Sequence, residues 1–207
     1  MSITIIIVAI TCIVSLLVMN NDEAKEKVLF WPYKINHGRE YFRFYSGAFV
    51  HADILHLAFN MITLYSFGQG IETFLFPALF GDKSGLLYIT LYALGIVVAS
   101  LPDFFKYKEV YGYRALGASG AVSAVLFSVI LLAPSEELKV FLAIPIPAWL
   151  FGILYLAFSA YMAKRGNDNI GHSAHFWGGV FGLVFTYIAV RSFTDINILE
   201  RFVRAIF

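Results

Sequence analysis

Six stretches of the chain are apolar and almost free of charge: residues 3–19, 51–74, 84–102, 115–134, 140–163 and 170–190. Crossing the hydrocarbon core of a bilayer takes about 20 apolar residues at about 1.5 Å rise each. The pattern predicts an all-α membrane protein, a compact bundle of six transmembrane helices forming one domain over residues 1–207. No internal repeat and no soluble domain interrupts it. The first run has neither a basic segment before it nor a small-residue cleavage site after it, so it reads as a retained span.

The segments between the runs are unequal. The first loop carries Trp31, Pro32, Tyr33, Tyr41 and Phe42, with Phe44 and Tyr45 close behind. Aromatic side chains at that density favour the headgroup region, so this loop is expected to be interfacial. The loop over residues 103–114 is also aromatic and basic, and parity places it on the same side. In the tail, residues 196–207, Ile196, Leu199, Phe202, Val203 and Ile206 share one helical face. Arg201 and Arg204 fall largely opposite, which suits a helix lying on a membrane surface.

Composition narrows the classes further. Of 207 residues, 14% are charged and 59% hydrophobic, where a soluble domain carries about a quarter charged. A soluble enzyme and a disordered chain are both excluded. The net charge of +1 leaves no footprint for nucleic acid. A single cysteine, Cys12, supports neither an internal disulfide framework nor a Cys-rich metal site.

Polar groups inside apolar runs are costly and point to function. The second run holds His56 and Asn60, spaced i,i+4 on one helical face, with His51 ahead of them. The fourth opens on Gly117-Ala118-Ser119-Gly120. The sixth opens on Gly171-His172-Ser173-Ala174-His175 and continues through Gly178 and Gly182. These three runs enter from the same face. His56, Ser119 and His175 each lie within about two turns of their start, hence at similar shallow depth.

That constellation suits acyl transfer. Ser119 would be the nucleophile, with His175 taking its proton and later giving it to the leaving amine. His56, Asn60 and the backbone N–H of Ser119 would stabilise the oxyanion. No carboxylate is placed to orient His175, since Asp168 lies in the preceding loop, so a Ser–His dyad is expected. Gly117 and Gly120, and the Gly178/Gly182 pair, would let the helices approach closely enough for the two groups to meet. Loop 164–171 is a candidate for admitting substrate and water.

These residues closely resemble the rhomboid intramembrane serine proteases. The family's G-x-S-G stands as Gly117-Ala118-Ser119-Gly120. Its H-x-x-x-N stands as His56 to Asn60, and its A-H-x-x-G-x-x-x-G as Ala174-His175 with Gly178 and Gly182. A G-x-x-x-E-like ending closes the second run at Glu72. The resemblance implies Ser119 as nucleophile, His175 as base and an oxyanion role for His56 and Asn60. It also implies transmembrane protein substrates and no cofactor. A bacterial inner membrane with both termini cytoplasmic is the expected setting. Two positions depart from the pattern. Phe42-Arg43 stands where many members have Trp-Arg. Ser123 stands where many have an aromatic on the catalytic histidine, a gap that Phe176 or Trp177 could fill.

Rival readings fit less well. A non-catalytic rhomboid-like protein that binds transmembrane helices is the alternative, and it would want a broken dyad. A transporter would place its polar groups near the midplane. H-E-x-x-H is absent, and the four histidines at 51, 56, 172 and 175 come without a carboxylate. Every aspartate is expected in a loop or at a span boundary, which disfavours an aspartyl mechanism. Oligomeric state is left open. Charge opposes the expected orientation. Lys83, Lys139, Arg191, Arg201 and Arg204 fall inside. Lys25, Lys27, Lys34, Arg39, Arg43, Lys106, Lys108, Arg114, Lys164 and Arg165 fall outside.

Overall fold

The computed structural model describes residues 2–140, 144–166 and 170–207. In chain order its helices are α1 (Ile3–Val18), α2 (Asp22–Val28), α3 (Pro32–Gly38), α4 (Arg43–Ser46), α5 (Ile54–Gly70), α6 (Phe76–Phe80), α7 (Ser84–Tyr107), α8 (Ser119–Leu132), α9 (Ala148–Arg165), α10 (His172–Phe193) and α11 (Ile198–Ile206). The long ones, α1, α5, α7, α8, α9 and α10, fall on the six apolar runs. By length and hydropathy the helical stretches Ile54–Tyr107 and His172–Phe193 suffice to cross a membrane, while Ile3–Val18 and Ser119–Leu132 are apolar but shorter. The protein is mainly α-helical.

Helix α8 is the axis. Its neighbours are α5, α7, α9 and α10, with α11 against its far end. All of its residues after Ser119 are buried, which is why it shows no polar stripe: a helix wrapped on every side is apolar all round. The core around it joins Leu64, Ile71, Tyr88, Leu91, Ala124 and Val125.

Helix α1 is pinned at both ends. The Glu72 carboxylate accepts from the amides of Ile3 (2.6 Å) and Thr4 (2.9 Å) and from the Ser2 hydroxyl (2.7 Å), placing negative charge at a helix start where the dipole favours it. Near its other end Ser15 donates to the Phe49 carbonyl at 2.9 Å and meets His51 Nδ1 at 2.9 Å. Between α5 and α6 the chain passes through a wide π turn, Ile71–Leu75. It then bends at Gly81, whose φ of 53° and ψ of −126° suit glycine.

The fifth run departs from expectation. Instead of a helix from residue 140, the structure has a two-stranded antiparallel hairpin, β1 (Glu137–Val140) against β2 (Ile144–Pro147), with Leu138 opposite Ile146. Pro145 and Pro147 lack the amide a helix needs and drive the residues before them to extended backbone. Helix α9 therefore starts only at Ala148. Residues 141–143 of that run, like Asp168 in loop 164–171, lie outside the described residues. Helix α7 departs the other way. It continues through Pro102 to Tyr107, so Asp103 lies within a helix and is buried, its carboxylate accepting from the Tyr113 hydroxyl at 2.8 Å.

The first and third loops bind each other on one side of the molecule, as parity predicts. Phe30 and Ala115 exchange backbone hydrogen bonds at 3.0 Å, and Trp31 Nε1 donates to the Tyr111 carbonyl at 2.9 Å. The Arg114 guanidinium stacks 3.9 Å from the Trp31 ring centre and pairs with Glu26 at 3.1 Å. Arg43 is buried, donating to Glu40 and to the carbonyls of Glu26 and Leu29, so this Phe-Arg pair knits the loop. In the tail, Ile198 is buried and Ile196 and Phe202 pack on the core. Leu199 and Val203 are exposed. The expected single apolar face is thus divided between the core and the outside.

Candidate active site

Ser119 is the first residue of α8, and what precedes it explains how it is held. Gly117 has φ of 111°, a left-handed conformation that favours glycine, and its amide donates to the Gly47 carbonyl at 2.9 Å. The next amide, Ala118 N–H, points to His51 Nε2 at 3.4 Å. With the Phe30–Ala115 pair, these contacts strap residues 115–118 to the first loop. Ala118 occupies the N-cap without a capping side chain. The first-turn amides of an α-helix have no acceptor inside the helix, so Ser119 stands beside donors suited to a developing negative charge.

His51 is buried and its tautomer follows from its partners. The Ser15 hydroxyl has one proton and gives it to the Phe49 carbonyl, so at the 2.9 Å contact with His51 it accepts from Nδ1–H. The Nε2 lone pair is then free to receive Ala118 N–H. His56 packs edge-on against His51 at 4.9 Å between ring centres. It also sits over Gly117: a Cβ there would lie 2.9 Å from His56 Cε1 and 3.0 Å from Nε2. Asn60, one turn along α5, is buried and donates its amide to the His56 carbonyl at 3.0 Å. His56 therefore borders the loop that leads into Ser119, and Asn60 is tied to His56.

His175 comes from the first turn of α10, which lies in backbone contact with α8. A Cβ on Gly178 would stand 2.1 Å from the Gly120 carbonyl oxygen, and one on Gly182 would stand 2.2 Å from that of Ala124. Gly120 itself faces Ala99 of α7 and Ala174 of α10, at 2.6 and 3.7 Å from the position of a Cβ. Ser119 precedes Gly120 by one residue and His175 precedes Gly178 by one turn, so both lie at the same end of this glycine-lined contact. A cavity of about 60 Å³ opens there, lined in part by Ser119, Gly171, Ala174, Ser100 and Asp103. It is roomy enough for water.

The ring beside His175 comes from α9. Tyr155 lies 6.1 Å from the imidazole, tilted 33°, and its hydroxyl meets Ser123 Oγ at 2.8 Å. Phe176 and Trp177 pack against each other, and Trp177 is exposed. His172 is buried, 5.8 Å from His175 and 5.6 Å from Phe158. Sequence reasoning missed Tyr155 and the bond from the Ala118 amide, just before Ser119, to His51. Ser123, small where an aromatic is common, was the only sign of the first; the second depends on a backbone amide, which no residue type announces. Among the described residues no three His, Cys, Asp or Glu side chains gather to hold a metal ion.

Residues 38–192 match the Rhomboid domain family. The chain belongs to the rhomboid family. This rhomboid is 32% identical over 146 residues to RHOMBOID-like protein 12, mitochondrial, of Arabidopsis thaliana, a match covering 67% of this chain and 44% of the relative. It is 28% identical over 145 residues to Rhomboid protein 1, mitochondrial, of Saccharomyces cerevisiae, covering 67% of this chain and 39% of the relative. Rhomboid-like protein 15 of Arabidopsis thaliana is 28% identical over 169 residues, covering 78% of this chain and 40% of the relative. The matched region thus spans less than half of each of these relatives. The family is membrane-embedded, so the chain is a membrane protein, and rhomboids are in general serine intramembrane proteases.

Proposed function

We propose that this rhomboid is a serine endopeptidase that cuts transmembrane protein substrates in or near the bilayer with a Ser119–His175 dyad. The observation that carries the reading is the backbone contact of Gly120 with Gly178, which brings the first turns of α8 and α10 together. In the proposed reaction His175 accepts the Ser119 hydroxyl proton as Oγ attacks the scissile carbonyl. The oxyanion is received by first-turn amides of α8 with His56 and Asn60. His175 then protonates the departing amine, leaving an acyl ester on Ser119. Water entering by the cavity beside Ser119 attacks the ester as His175 takes its proton, and His175 returns that proton to the departing Ser119 Oγ, which frees the acid product and restores the dyad. No step calls for a cofactor.

The same reading takes the six long helices as six transmembrane spans in one domain. The start of α1, at Glu72, and the end of α10, where Phe193 packs 6.4 Å from Phe80, stand at the end of the bundle away from Ser119. We take both termini as cytoplasmic and the site as opening outward. The mitochondrial names of two relatives lend no weight to a bacterial inner membrane, and orientation can be read in any host membrane. A reporter active only in the cytoplasm, fused at Phe207, is expected to be active; a silent fusion reverses the assignment.

The deciding assay uses purified protein in detergent with a labelled transmembrane substrate. Wild type is expected to cut it, and Ser119→Ala and His175→Ala are not. Equal cleavage by wild type and Ser119→Ala sinks the protease reading. If wild type captures the substrate helix and leaves it whole, the chain is instead a helix-binding rhomboid-like protein.

A further inference from the structure

The Ser123 departure and the unexpected ring beside His175 are two halves of one arrangement. Tyr155 reaches from α9 to α8, where its hydroxyl meets Ser123 Oγ at 2.8 Å. Its ring is confined by Phe127 of α8 at 5.5 Å and by Phe151 of α9 at 5.7 Å. One side chain is thus fixed at its tip by a hydrogen bond and along its body by two aromatic contacts, and it lies 6.1 Å from the His175 imidazole. The imidazole also meets the edge-on ring of His172 at 5.8 Å. A histidine acting as a base must stay in one rotamer within about 0.5 Å of its working position, which takes neighbours that are themselves locked.

We infer that Tyr155, anchored by Ser123, is the positioning residue that holds His175 in its working rotamer, so that the base takes its support from α9. Ser123 belongs to the device because a large side chain at that position would displace the Tyr155 hydroxyl from α8. The arrangement has a structural price: of the eighteen residues of α9, only Ala148, Gly152 and Ser159 are buried. The base therefore leans on a helix with little core of its own. This inference rests on the reading of His175 as the general base.

The test combines kinetics with the imidazole signals of protein carrying 15N-labelled histidine, both in detergent. Tyr155→Leu is expected to lower kcat by about 10- to 100-fold with KM within about twofold, the pattern of a displaced catalytic group. The His175 signals should broaden or split. Tyr155→Phe and Ser123→Ala should each cost kcat a few-fold. Because the two remove one shared bond, their combination should cost no more than either alone. Pairing Ser123→Tyr with Tyr155→Ser should restore most of the kcat lost in Tyr155→Leu. Unchanged kcat and unchanged His175 signals in Tyr155→Leu overturn the inference, and so does a loss confined to KM. Should Tyr155→Leu not fold, the Phe and Ala pair decides, and additive losses there overturn it. If wild type cuts no better than Ser119→Ala, the protease reading fails by itself, while the imidazole spectra still judge the positioning role.

Discussion

The Gly120 carbonyl oxygen fills the space that any side chain at Gly178 would need, since a Cβ there would lie 2.1 Å from it. Helices α8 and α10 meet backbone to backbone, and Gly178→Ala must push them apart by about 1 Å for ordinary contact. Displacement on that scale can cost about 100-fold in rate. We expect at least that loss in kcat, with a lowered melting temperature in detergent. Gly70→Ala, where a Cβ meets nothing within 4 Å, is the control and should leave cleavage unchanged.

Gly117 answers to two constraints at once, a φ of 111° and the His56 ring 2.9 Å from where its Cβ would be. Gly117→Ala should destabilise the protein by about 1–3 kcal/mol, the usual cost of such a backbone strain. It should also slow the labelling of Ser119 by a fluorophosphonate at least about tenfold, since an altered loop misaims the nucleophile. Labelling at the wild-type rate would separate the loop from the chemistry.

His51 is expected in NMR spectra as a neutral imidazole protonated on Nδ1. His51→Phe keeps the ring volume but breaks both of its bonds, to Ser15 and to the Ala118 amide. It should cost about 1–3 kcal/mol of stability, because buried groups are left unsatisfied, and about tenfold in kcat. Ser15→Ala removes only the outer bond and should cost less in kcat. A Ser15→Ala loss as large as that of His51→Phe would contradict a direct effect of the His51–Ala118 bond on Ser119.

In the tail, Leu199 and Val203 are 53% and 54% exposed, one turn apart on α11. A nitroxide at position 203 in bilayers should be shielded from a water-soluble relaxation agent, whereas one at position 201 should be reached by it. Equal accessibility would place the tail in water.

The sequence showed well where polarity was rare. In 84–102 and 115–134 no charge interrupts the run, and helices α7 and α8 stand there. Ser119, His175, His56 and Asn60 stood out as candidates because each is a polar residue in apolar surroundings. Local backbone chemistry was the harder part. The apolarity of residues 140–147 resembles that of a helix, but Pro145 and Pro147 set the backbone and a hairpin forms. The third run was bounded at Pro102, yet α7 passes through it and takes Asp103 inside. Tyr155 was hidden for a different reason. Its place in an apolar run says nothing of which neighbour it faces, and the pairing of α9 with α8 exists only in three dimensions.

Helix α8 has no outer surface: beyond Ser119 every residue in it is buried. Lipids that vary in length, saturation or headgroup therefore touch its neighbours and not the helix that bears Ser119. The bilayer meets the exposed side chains of α9, Ile153, Leu154 and Phe158 among them, while α8 keeps the environment the protein itself provides. Of the two groups in the proposed dyad, the serine thus starts a helix sheathed by protein, and the histidine stands beside a ring from a helix that faces lipid.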